Sequence, residues 1–148
     1  MGQIGKSSPG ARESLEAYIR IPPHSLRCAL APPLTTTSPN SDLCVLLVHP
    51  WTVLGGDMNN RLIVAGAQFF QRLGCGTIRI NFRGWGISNG SSEKEQLKSC
   101  LKYLKDKQLG FKRVLVVAYS HGSMISHMLL EGCEPGELAE LGVAGLAR

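Results

Sequence analysis

Two short runs in this chain, Leu43 to His49 and Val114 to Val117, are continuously apolar and too brief to be helices on their own. A strand covered by helices on both faces reads this way, because neither side of it meets water. Between them, Leu62, Ile63, Gly66, Phe69, Phe70 and Leu73 recur at helical spacing within Asn59 to Leu73, and Gly74 supplies the stop. Thr77 to Phe82 reads as another strand, and a helix is predicted from about Ser92 to Lys107. Strands alternating with helices of this length imply crossover connections, hence an α/β fold: a mostly parallel sheet with helices on both faces. At 148 residues, 43% hydrophobic and 18% charged, the chain has apolar side chains enough for one such core.

Ahead of this pattern, Ser14 to Ile21 and Leu26 to Ala31 predict a hairpin around Pro22-Pro23-His24. Residues 1–13 are rich in Gly and Ser and are expected to be disordered. Pro32 to Asp42, a run of Pro, Thr, Ser and Asn, reads as a surface loop.

Chemistry concentrates where strands end. Ala118-Tyr119-Ser120-His121-Gly122 follows an apolar run and precedes a helical stretch from Ser123 to Glu131. That is the strand, tight turn and helix context of a nucleophile elbow, which lifts a serine hydroxyl above a parallel sheet. Small residues two before and two after the serine are required, and Ala118 and Gly122 supply them. The alternative is a serine that caps the helix starting near Gly122.

His49-Pro50-Trp51 with Gly55-Gly56 lies at the end of a buried strand and before a helix. Backbone N–H groups from such a loop, with that of the residue after a nucleophile, can hold the negative oxygen of a tetrahedral intermediate. Trp51 and His121 are the candidate donors; His49, Gly55, Gly56, Arg83 and Gly122 are the supporting residues. A generic strand-to-helix connection is the alternative. The third stretch, Asn81-Phe82-Arg83-Gly84-Trp85-Gly86-Ile87-Ser88-Asn89-Gly90, is Gly-rich, but its spacing is one residue too long for a dinucleotide fingerprint and it lacks a Gly-Lys-Ser/Thr. Arg83 is expected to make structural hydrogen bonds.

In this order the motifs resemble the α/β-hydrolase superfamily, specifically its dienelactone-hydrolase-like and serine-aminopeptidase-like members. The resemblance rests on His49-Pro50, Gly55-Gly56, Asn59-Asn60, the stretch from Asn81 to Gly90 and the elbow, and spans roughly Ser14 to Glu131. It implies that residues 14–132 are the N-terminal portion of a hydrolase domain, with Ser120 as nucleophile and the Trp51 and His121 amides as oxyanion hole. Trp51 departs from the second histidine often found in that position. The family also places an acid and then a histidine after the serine. Downstream of Ser120 there is no aspartate, and the histidines are His121 and His127. His121 adjoins the nucleophile, and His127 starts roughly 10 Å along the following helix at about 1.5 Å per residue. Neither suits the role of general base.

Residues 133–148 read as an atypical tail, a weak helix or disordered end where the family would have a strand. The sequence is therefore expected to be an α/β-hydrolase-like fold truncated after the elbow, with the last strand's edge unpaired and open to self-association. Two function classes follow. One is a serine hydrolase acting on an ester, thioester or small amide, with a small-molecule substrate. The other is a non-catalytic binding or interaction module.

Five widely spaced cysteines make neither a disulfide framework nor a metal knuckle, and no metal or cofactor is implied. The net charge of +5 and Lys94, Lys98, Lys102 and Lys105 raise anion binding, but Leu97, Leu101 and Leu104 on the opposite face mark a solvated amphipathic helix. No nucleic-acid partner is expected, since aromatic residues do not interleave with the basic ones. No run approaches the roughly 20 apolar residues of a membrane span, and the start of the chain has no apolar signal core, so a cytoplasmic location is expected.

Overall fold

The computed structural model describes residues 16–52, 55–83, 91–134 and 136–147. In chain order the elements are β1 (Ala17–Ile21), β2 (Leu26–Ala31), β3 (Leu43–Val48), α1 (Arg61–Arg72), β4 (Gly76–Asn81), α2 (Ser91–Asp106), β5 (Arg113–Ala118), α3 (His121–Gly132), α4 (Glu137–Glu140) and β6 (Val143–Ala147). The strands form one sheet in the order β1-β2-β4-β3-β5-β6. β2 pairs antiparallel with β1 and β4, whereas β3 is parallel to both β4 and β5, and β6 is parallel to β5. The chain leaves β3 for a neighbour on one side, through α1, and then crosses to the other side through α2. In open α/β sheets the crevice for a ligand lies outside the carboxyl ends of the strands at such a reversal. Here it brings the loop after β3 beside the turn after β5.

Strand β3 is buried from Cys44 to Val48, as its unbroken apolar run requires. Its alternate residues serve two cores. Cys44, Leu46 and Val48 pack with Ile78, Ile80, Leu97, Leu101 and Leu104 of β4 and α2 and with Ile125 and Leu129 of α3. Val45 and Leu47 pack with Ile63, Ala67 and Cys75 beneath α1. Helices thus cover both faces. Asn60 caps α1, its Oδ1 accepting from the Leu62 N–H at 3.0 Å, and Gly74 leaves the helix at φ +85°, a conformation that favours glycine.

Two expectations need correction. The apolar arc of α1 is wider than its interface: Ile63, Ala67 and Gln71 face the sheet, while Leu62, Phe69 and Leu73 are exposed. Gln71 is accommodated because its Nε2 donates to Thr77 Oγ1 at 2.8 Å. The amphipathic reading of α2 holds, with Leu97, Leu101 and Leu104 buried, and the partly exposed Lys98 also pairs with Glu137 of α4. The larger correction concerns residues 133–148. Where a weak helix or disordered end was expected, they supply the short helix α4 and then a strand, β6, which pairs Val114 with Val143 and Val117 with Ala147. The Val114 N–H donates to Gly142 O at 2.7 Å. The outer edge of β5 is therefore paired, and among the described residues β6 is the last strand on that side of the sheet. The reason is non-local: a run of small and aliphatic residues with little β-propensity of its own becomes a strand when an edge offers it hydrogen bonds.

Residues 1–13, expected to be disordered, and residues 84–90 of the Gly-rich stretch lie outside the described residues.

Candidate active site

The turn between β5 and α3 carries the backbone signature of an elbow. Ser120 has φ +55° and ψ −121°, a region costly for a residue with a Cβ. Its side chain caps nothing, is solvent-exposed, and receives no hydrogen bond from a described residue. The helix-cap alternative is thereby set aside. Among the described residues, four hydrogen bonds hold the turn: the Tyr119 N–H donates to Val48 O at 3.2 Å, the Gly122 N–H to Tyr119 O at 3.1 Å, the Ser123 N–H to Ser120 O at 2.9 Å and Ser123 Oγ to Ala118 O at 3.2 Å. Gly122 is required by proximity, since a Cβ there would sit 2.6 Å from Val48 O and 2.7 Å from His49 O. The start of α3 therefore rests directly on the end of β3.

His49 anchors the facing loop. Its ring is 1% exposed. Nε2 accepts from the Phe82 N–H at 3.1 Å, and Nδ1 lies 2.6 Å from Pro50 O. An acceptor at Nε2 requires the proton on Nδ1, which then donates to Pro50 O. Burial pushes the His49 pKa down, opposed by its bond to the Pro50 carbonyl. The edge of one aromatic ring meets the other at 5.1 Å between His49 and Phe82. With both ring nitrogens engaged, His49 ties the ends of β3 and β4 together and holds no proton for exchange with a substrate.

Beyond Pro50, the Gly56 N–H donates to Trp51 O and the Gly55 N–H to Thr52 O, each at 3.0 Å. Gly55 has φ +83°, and a Cβ on Gly56 would lie 2.1 Å from Pro50 O. Both glycines are thus needed for this tight reversal. The Trp51 indole, 37% exposed, leans on the His121 imidazole with ring centroids 6.1 Å apart. The two residues proposed from sequence as amide donors therefore sit side by side, and no described residue accepts from either backbone N–H.

Arg83 is structural, as expected: its Nη1 donates to His24 O at 2.8 Å, and its backbone is clamped by Gln96, which accepts from the N–H at 2.7 Å and donates to the carbonyl at 2.8 Å. Sequence reasoning passed over Gln96. It also passed over Arg79, which lies 4% exposed under the loop before α1, bonded to Glu16 at 2.7 Å and to Asn59 Oδ1 at 3.1 Å. A charge in mid-strand was the available signal for Arg79.

No histidine among the described residues hydrogen-bonds Ser120. His127 Nε2 pairs with Glu131 Oε1 at 3.0 Å, one turn along α3. Among the described residues no group of three or more His, Cys, Asp or Glu could hold a metal, and no helix is long and apolar enough to cross a membrane. All five thiols are free, with burial pushing those of Cys44 and Cys75 up.

Strand order, crossover helices on both faces and a strained serine turn at the switch point together define the class: the chain has the N-terminal part of the α/β-hydrolase fold. It superposes on an α/β serine hydrolase without lid from Xanthomonas campestris at TM-score 0.69 and 20% identity, over 92% of this chain and 60% of that one. An α/β serine hydrolase homologue from Coxiella burnetii gives TM-score 0.64 at 26% identity, over 83% and 59%. An esterase from Pyrococcus furiosus gives 0.60 at 19%, over 81% and 47%. In sequence, the chain is 30% identical over 99 residues to an uncharacterized protein of Rickettsia prowazekii, covering 64% of this chain and 41% of that protein. No protein-family model matches the chain. The chain spans about three fifths of the length of the first two hydrolases.

Proposed function

We propose that this chain carries the nucleophile and oxyanion hole of a serine hydrolase acting on an ester, thioester or small amide. The observation that carries the reading is Ser120 held at φ +55° with its hydroxyl free of any described partner, next in sequence to His121, whose ring meets that of Trp51. A strained backbone is retained where it aims a group at chemistry. In the reaction, Ser120 Oγ attacks the substrate carbonyl carbon and passes its proton to a general base. The carbonyl oxygen becomes the oxyanion, which accepts from the Trp51 and His121 N–H groups. Collapse expels the alcohol, thiol or amine with that proton and leaves an acyl-serine, which water then cleaves.

The base and its orienting acid come from outside the described residues, from further chain or from a partner. His49 cannot serve, since both its nitrogens are spent. A second reading, a catalytically silent binding module, is favoured by the lack of a histidine bonded to Ser120 among the described residues.

Labelling of the 148-residue chain by a fluorophosphonate, with imidazole added as the external base and Ser120→Ala as control, separates the two. The expected result is labelling lost in the variant; a folded wild-type chain that takes no label would refute the hydrolase reading.

A further inference from the structure

The two amides assigned to the oxyanion hole follow different strands, β3 and β5, and a hole works only when both point at one oxygen. The His121 amide is placed by the elbow, through the strained Ser120 and the close seat of Gly122 on Val48 and His49. The Trp51 amide is placed by His49, which holds Pro50 O, and by the Gly56 N–H on Trp51 O. Below the site the two loops are joined by the Tyr119 N–H to Val48 O bond. At the level of the amides themselves, the link among the described residues is the contact between the Trp51 indole and the His121 ring, 6.1 Å between centroids and tilted by 33°. Rings at that separation attract beyond their burial.

We infer that Trp51 and His121 are positioning residues whose side-chain contact sets the spacing of their own backbone donors. This rests on the hydrolase reading above. Each ring lies on the residue whose amide it positions, so a small displacement of either side chain is transmitted to a donor through one Cα. Trp51 is 37% exposed and belongs to neither of the two hydrophobic core clusters.

The test is the kinetics of Ser120 phosphonylation by a fluorophosphonate with imidazole as the external base, resolved into the maximal rate and the half-saturating concentration, in wild type, Trp51→Ala, Trp51→Phe, His121→Ala and the double alanine variant. Loss of a complete oxyanion donor costs about 100-fold to 1000-fold. A misaligned donor should cost less, on the order of 10-fold in the maximal rate with half-saturation changed under about 3-fold. Trp51→Phe, which keeps a ring, should recover most of the rate. The double variant should be no slower than the worse single one, since both remove one contact. Thermal unfolding of each variant identifies any that does not fold; Trp51→Phe and His121→Leu then stand in.

Additive losses, or a change in half-saturation alone, would overturn the inference while leaving Ser120 as nucleophile. So would an unchanged Trp51→Ala. A wild-type chain that is folded and takes no label would overturn the hydrolase reading, and the inference with it.

Discussion

Replacing His49 by Phe keeps a flat ring in the space between β3 and β4 and removes both of its hydrogen bonds. The Phe82 N–H, on a residue 7% exposed, then loses its acceptor. A buried donor left unsatisfied costs about 1–3 kcal/mol, whereas Pro50 O, on a half-buried residue, can turn to water. For a domain of this size each kcal/mol moves the melting temperature by roughly 3 °C, so His49→Phe should melt about 3–9 °C below wild type near pH 7.5.

The same substitution has a pH signature. Because burial lowers the folded pKa of His49, the neutral ring stabilises the fold fully above the unfolded value of about 6.5, and that contribution is lost as pH falls through the folded value. Protonation would put a donor at Nε2 against the Phe82 N–H. Wild type should therefore lose stability as pH falls below about 6.5, at up to about 1.4 kcal/mol per pH unit from this group, and His49→Phe should not. The gap between the two proteins should narrow toward acid. Urea unfolding across that range measures it. Parallel pH profiles, or equal stability at pH 7.5, would refute the role assigned to this ring.

Two other substitutions probe the elbow. Ser120→Gly removes the Cβ from a φ of +55° and should raise stability by about 1 kcal/mol while abolishing phosphonate labelling, read by calorimetry and gel fluorescence. Gly122→Ala forces a methyl to within 2.7 Å of two backbone carbonyls, which cannot swing aside as a side chain would. It should cost about 1–3 kcal/mol by unfolding, and a melting temperature within 1 °C of wild type would show that α3 does not rest on β3 as described.

How far the sequence could be read follows the range of the forces involved. The runs at Leu43 to His49 and Val114 to Val117 are strands because their apolar character is local, and β3 and β5 fall within a residue of those limits. The elbow was legible for a similar reason: a small residue on either side of Ser120 is a steric demand written over five positions. By contrast, the arc of α1 that faces the sheet could not be read. Leu62 and Ile63 are equivalent in sequence, and only the seat of the helix over Val45 and Leu47 buries one and exposes the other.

The sequence by itself determined the class of fold, the crossovers and the serine turn, since each depends on periodicity or on residues within one turn of one another. Tertiary structure alone decided three things. It spent both nitrogens of His49 on Pro50 and Phe82, the latter 33 residues away, turning a motif histidine into a brace. It set the Trp51 ring on His121, 70 positions along the chain. And it made a strand of Val143 to Ala147, because the open edge of β5 supplied hydrogen-bond partners that no pattern within those five residues encodes.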